Sequence, residues 1–156
     1  MPKCSRTVCA VLCLVVVLGG AALAQSSNPL IGDWKLNVAK SKASFKSGTS
    51  KFEAAGNGVK ATVDLVGADG TVSHWTFTAN YDGKDNPVTG SSPYGDVVAF
   101  TRVDANTTRI VSKQSGKVTV TQTIVVAADG KTRTTTTKGT DAKGQTVDTI
   151  AIYEKL

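Results

Sequence analysis

Few residues in this chain have the type and spacing that chemistry needs. His74 is the only histidine, so a Ser/His/Asp triad would have to run through it, yet it sits beside Trp75 in an alternating segment with no nucleophile elbow nearby. A lone imidazole can ligate haem axially. A strand position with a partly exposed ring explains it as well, and a structural zinc shell is excluded because residues 25–156 contain no cysteine. The carboxylates come singly: Asp69, Asp82, Asp85, Asp104, Asp129 and Asp141 all lie in turn-like dipeptides or tripeptides, where a short acidic side chain caps its own backbone. Asp82 and Asp85 lack the acid-rich loop and closing glutamate of a calcium site. This reads as a protein that is not an enzyme, with no metal and no cofactor.

What remains is aromatic. Trp75, Phe77 and Tyr81 recur at a spacing of two or four, and Tyr94 and Tyr153 follow. Alternate residues of a strand share a face, so Trp75, Phe77, Ala79 and Tyr81 form one apolar face of the segment Thr71 to Tyr81. The stretch from Asp82 to Tyr94 carries Pro87, Pro93, Gly90 and Gly95 and reads as a long loop, a type that is often functional in compact domains. The candidate ligand-binding set is therefore Trp75, Phe77, Tyr81 and Tyr153, with Lys84 and Tyr94 at the rim of a cavity that this loop covers. The same rings would equally serve to fill a core.

Such a face needs a cover, and the rest of the chain supplies only strands. Asn57-Gly58, Asp69-Gly70, Asp82-Gly83, Asp104-Ala105-Asn106, Ser115-Gly116, Asp129-Gly130 and Lys143-Gly144 are turn signals at hairpin spacing. Between them nine strands are expected: 34–38, 51–55, 59–66, 71–81, 96–103, 107–114, 117–126, 131–138 and 145–153. The only room for helix is at the start and over 39–45. Short connections favour an antiparallel meander, since parallel strands need long crossovers. The expected fold is all-β, an antiparallel up-and-down barrel of about eight to nine strands, because closure removes exposed edges. The segment Lys131 to Lys138 is nearly all threonine and has almost no apolar face, so it either borders a polar lumen or shows water a hydrated outer face.

Residues 1–24 have the pattern of an export signal: Lys3 and Arg6, an apolar run from Val8 to Leu18, then Ala22-Leu23-Ala24. That run is shorter than the ~20 residues a membrane-spanning helix needs. The expectation is a periplasmic or secreted protein, a single domain over 25–156, monomeric and without stable membrane insertion. Cys4, Cys9 and Cys13 all lie in the signal, so the domain must hold together without disulfides. Without Lys3 and Arg6, 16 basic residues face 12 acidic ones. That modest excess, with few aromatics among the lysines from Lys35 to Lys60, excludes nucleic acid as the expected partner.

Gly32-Asp33-Trp34-Lys35-Leu36 resembles the Gly-x-Trp opening strand of the calycins, the lipocalin and fatty-acid-binding-protein group, and Ile152-Tyr153-Glu154-Lys155-Leu156 resembles the closing strand of fatty-acid-binding proteins. The resemblance implies an indole plugging the barrel base. The chain departs from it where those proteins carry Arg-x-Tyr on the last strand: the triplet here is Ala151-Ile152-Tyr153, and Arg102, Arg109 and Arg133 all lie elsewhere. A two-helix lid has no room between Val38 and Lys51, which implies a more open cavity. The chain is also similar to an uncharacterised family of small exported bacterial proteins, through Trp34-Lys35-Leu36-Asn37, Tyr81-Asp82-Gly83-Lys84-Asp85 and Ala128-Asp129-Gly130-Lys131-Thr132. That resemblance implies architecture and export, with no activity attached. The functional expectation is a non-catalytic barrel binding a small apolar or amphipathic molecule. The alternative is an envelope-associated interaction or structural module with a filled barrel. If a ligand is held, Trp75→Ala is expected to weaken binding more than it lowers the melting temperature.

Overall fold

The computed structural model describes residues 28–156; the export signal read over 1–24 lies outside the described residues. Ten strands follow one another as a meander: β1 Gly32–Leu36, β2 Phe45–Ala55, β3 Gly58–Gly67, β4 Val72–Asn80, β5 Asp82–Gly90, β6 Val97–Arg102, β7 Thr107–Gln114, β8 Lys117–Val126, β9 Thr132–Thr140 and β10 Thr146–Lys155. Each pairs antiparallel with its neighbours in sequence, and β1 closes the ring by pairing with both β2 and β10. The fold is a closed up-and-down barrel with ten strands, one more than the upper end of the expected count.

The additional strand is β5, where the sequence reads as loop. Its own residues argue against a strand, with Gly83, Pro87 and no apolar alternation. The neighbours impose it: β6 pairs with Asp82 and with Asp85 to Pro87 around a bulge, and β4 holds only the three positions Val88 to Gly90. β2 is also longer than expected. The stretch with room for helix contains only a single 3-10 turn over Val38–Lys40, and Phe45 already belongs to β2.

Inside and outside follow the two-residue period. Trp75, Phe77 and Ala79 point inward from β4, and Val59, Ala61 and Leu65 from β3, while His74 and Thr78 face water. The turns are as chemically constrained as the strands. At the β7–β8 hairpin Ser115 and Gly116 both take positive φ, 50° and 79°, which matches the twist of a two-residue turn. The aspartates cap backbone: Asp104 accepts from the Asn106 and Thr107 amides at 2.8 Å each, and Asp141 from those of Lys143 and Gln145 at 2.9 and 2.8 Å.

One end of the barrel is plugged by the incoming chain. Trp34 is fully buried there and its indole Nε1–H donates to the Leu30 carbonyl at 2.9 Å. Leu30 is itself buried, and Asn28 Nδ2 donates to the Tyr81 hydroxyl at 2.7 Å.

Candidate functional site

β9 carries its polar residues on both faces. Thr132, Thr134 and Thr136 are half-exposed on the outside, whereas Arg133, Thr135 and Thr137 are buried in the lumen. The two readings of the threonine strand are thus both realised, one on each face. Opposite Arg133 in the β9–β10 ladder stands Tyr153.

Arg133 is held by side chains from four strands. Its Nη2 donates to the Ser50 hydroxyl of β2 and its Nη1 to Thr135 Oγ1 at 3.3 Å. The guanidinium carbon lies 4.0 Å from the ring centre of Tyr153, 5.2 Å from Phe52 and 5.4 Å from Trp34. Nε–H is buried with no acceptor among the described residues. The buried polar side chains are Ser50, Thr108, Ser112, Arg133, Thr135 and Thr137, with no Asp or Glu among them. Among the described residues the interior therefore holds one cation and no counter-ion. Burial lowers the Arg133 pKa from its ordinary value to about 10, which leaves it charged at neutral pH. Burial also raises the Tyr153 phenol, an effect that the neighbouring Arg133 opposes.

The guanidinium lines a cavity of about 50 Å3 in the lumen. Its walls differ in character. β2 to β4 contribute mainly apolar side chains, Phe45, Phe52, Val63, Leu65, Trp75 and Phe77, with the Ser50 hydroxyl among them, while β8 to β10 contribute Gln122, Thr135, Thr137 and Thr149 beside Arg133 and Tyr153, interleaved with Ile124 and Ala151. Gln122 Nε2 donates to Thr137 Oγ1 at 3.2 Å, so this polar wall is partly cross-linked. At the end away from Trp34, the segment 91–96 folds Tyr94 inward until it is 7 % exposed, edge-on to Trp75 at 6.3 Å between ring centres. Burial raises the Tyr94 phenol well above its ordinary value. Thr119 Oγ1 donates to the Tyr94 carbonyl, and the Ala142 amide donates to that of Pro93 at 3.1 Å. Gly95 makes this fold possible: its φ is +143° and a Cβ there would lie 2.1 Å from the Lys113 carbonyl oxygen.

Of the residues singled out from sequence, Trp75, Phe77, Tyr94 and Tyr153 line this cavity together. Tyr81 and Lys84 do not. Tyr81 is half-buried at the plugged end, under the Arg102 guanidinium at 4.4 Å. Lys84 projects outward from β5, 81 % exposed, with Asp82 as its nearest acid at 3.7 Å. Of the expected covering loop, Asp82 to Tyr94, only residues 91–94 lie over the lumen, because 82–90 is wall. With Tyr94 and Trp75 at the mouth the lumen is narrower than the absence of a helical lid implies. Trp75 is also core, 6 % exposed, so truncating it removes packing as well as any ligand contact.

His74 lies outside the barrel, where its Nδ1 sits 2.6 Å from Asp64 Oδ1 with both side chains more than half exposed. Among the described residues no group of three or more His, Cys, Asp or Glu side chains is placed to hold a metal ion. Arg133 is absent from the residues singled out by sequence, and the signal that could have found it is its parity. Arg133, Thr135 and Thr137 alternate with Thr132, Thr134 and Thr136, but a strand of threonines does not say which set faces in. The chain matches no protein-family model and no curated protein.

Proposed function

We propose that this protein is an exported, non-catalytic barrel that holds a small amphipathic molecule in its lumen. One observation carries the reading: the cavity wall is mainly aromatic and aliphatic on β2 to β4 and carries most of its hydroxyl and amide groups and its one guanidinium on β8 to β10, around a single space. A purely filled core has no use for that division, because buried polar groups cost stability unless they are partnered. The calycin-like opening and closing segments and the buried Trp34 support the same reading. So does the position of His74 on the outer face, away from the lumen. Export rests on the signal-like residues 1–24.

Size restricts the occupant. Sites for drug-sized ligands span roughly 300 to 1,000 Å3, and about 50 Å3 is far below that. The occupant is small, or the Tyr94 segment moves aside for it. The narrow lumen also favours the second reading, a filled barrel acting as an envelope interaction module through the outward threonines of β9. Native mass spectrometry of protein purified gently from cells that export it, followed by solvent extraction, separates the two. A stoichiometric adduct is the expected result. A clean polypeptide mass that stays unshifted after exposure to small amphipathic molecules would favour the interaction module.

A further inference from the structure

We infer that the lumen selects a small monocarboxylate, with Arg133 as the group that recognises its charge. This rests on the lumen-binding reading above and specifies the chemical class of its occupant.

Charge sets the sign and the valence. Arg133 is 4 % exposed and the buried residues around it include no acid. Hydroxyls of Ser50 and Thr135 accept two of the five N–H groups, and Nε–H has no acceptor. Aromatic faces and hydroxyls stabilise a buried cation only partially, whereas an anion supplies both the missing charge and the missing acceptors. Among the described residues Arg133 is the only Lys or Arg that borders the cavity, so a phosphate monoester or a dicarboxylate would bring one negative charge too many. A monoanion balances it.

Shape and size point to a short carboxylate within that class. The planar guanidinium edge matches two carboxylate oxygens. A water needs about 10 to 15 Å3 of such space, so a cavity of about 50 Å3 takes a molecule of a few heavy atoms, such as acetate or propionate. Phe52, Phe77 and Trp75 line the same space and would cover a short alkyl end, which an inorganic anion does not have.

The test is a titration of the isotope-labelled protein, purified from cells that process it, with propionate, propionamide, propanol, nitrate and octanoate in a carboxylate-free buffer. Amide spectra report both binding in the lumen and retention of the fold. Propionate is expected to bind at least tenfold more tightly than propionamide or nitrate. In Arg133→Met the preference for the acid is expected to vanish while weak propanol binding remains. Arg133→Lys, which keeps the charge and loses the planar edge, is expected to retain part of the preference. Equal affinity for propionate and propionamide would overturn the charge inference and leave the lumen-binding reading standing. Nitrate binding as tightly as propionate would overturn the carboxylate class, and octanoate binding more tightly would overturn the size limit. If none of these compounds moves a lumen resonance, both the inference and the reading beneath it fail.

Discussion

Replacing Arg133 with methionine should make the empty barrel more stable. The guanidinium sits in the interior with no Asp or Glu among the described residues buried there. Burial lowers its pKa from the ordinary guanidinium value to about 10, and at about 1.4 kcal/mol per tenfold change the bias against the charged form comes to roughly 3 kcal/mol. Two hydrogen bonds, to Ser50 and Thr135, oppose this by about 1 kcal/mol each. The contacts with Tyr153, Phe52 and Trp34 are largely replaced by contacts of the methionine sulfur with the same rings. The balance is a gain of about 1 kcal/mol, a rise of roughly 3 to 6 °C in melting temperature for a domain of this size.

The assay is thermal and urea unfolding by circular dichroism, wild type against Arg133→Met, without small anions in the buffer. The pH dependence has a definite sign. The folded chain releases the proton near pH 10 and the unfolded chain keeps it up to the higher, ordinary guanidinium pKa, so between these values the unfolded state binds more protons and wild-type stability rises with pH. The advantage of the variant is therefore full at neutral pH and shrinks above about pH 10. A loss of about 2 kcal/mol or more at neutral pH would refute the reasoning, since it would mean that the guanidinium is a net stabiliser of the empty barrel.

Other positions give further expectations. Trp75→Ala should cost about 3 to 5 kcal/mol in chemical denaturation because the ring is core, and a cost under about 1 kcal/mol would show that the lumen is looser than described. Tyr94→Ala should open the mouth, so longer carboxylates that wild type rejects should bind, as read by calorimetry; unchanged selectivity would mean that the mouth lies elsewhere. Gly95→Ala should destabilise by about 2 kcal/mol or more, because its φ of +143° and the Lys113 carbonyl leave no place for a Cβ, and wild-type stability would contradict the path of this segment. Trp34→Phe should cost about 1 to 2 kcal/mol in urea unfolding through the lost bond to the Leu30 carbonyl.

The sequence is legible where side-chain chemistry and backbone state agree. β4 alternates apolar and polar residues, and Ser115-Gly116 takes the positive φ that its turn requires, so both can be read from residue types alone. β5 cannot, because Gly83 and Pro87 disfavour a strand that its neighbours nonetheless hold in register. The first half of β2 has the same difficulty: Lys46, Ser47, Gly48 and Thr49 show no apolar period. The aromatic half of the candidate site is visible in the sequence as Trp75, Phe77, Tyr94 and Tyr153. Its polar half is hidden there, since the meaning of Arg133 depends on which parity of a threonine strand faces in and on Tyr153, its cross-strand partner from the far end of the next strand. Tyr81 and Lys84 lie away from this cavity for a related reason. Both follow an aromatic strand, but the chain has by then reached the plugged end, where Tyr81 packs against Phe100 and Lys84 projects outward.

The most direct measurement is the nuclear magnetic resonance spectrum of the Arg133 guanidinium, assigned by its loss in Arg133→Met, during titration with propionate. A ligand-binding lumen with Arg133 at its polar end predicts a saturable shift of the Arg133 Nε–H signal and its protection from solvent exchange, with the Arg102 and Arg109 signals unchanged. An Arg133 signal that stays fixed while propionate reaches saturating concentration would contradict the account.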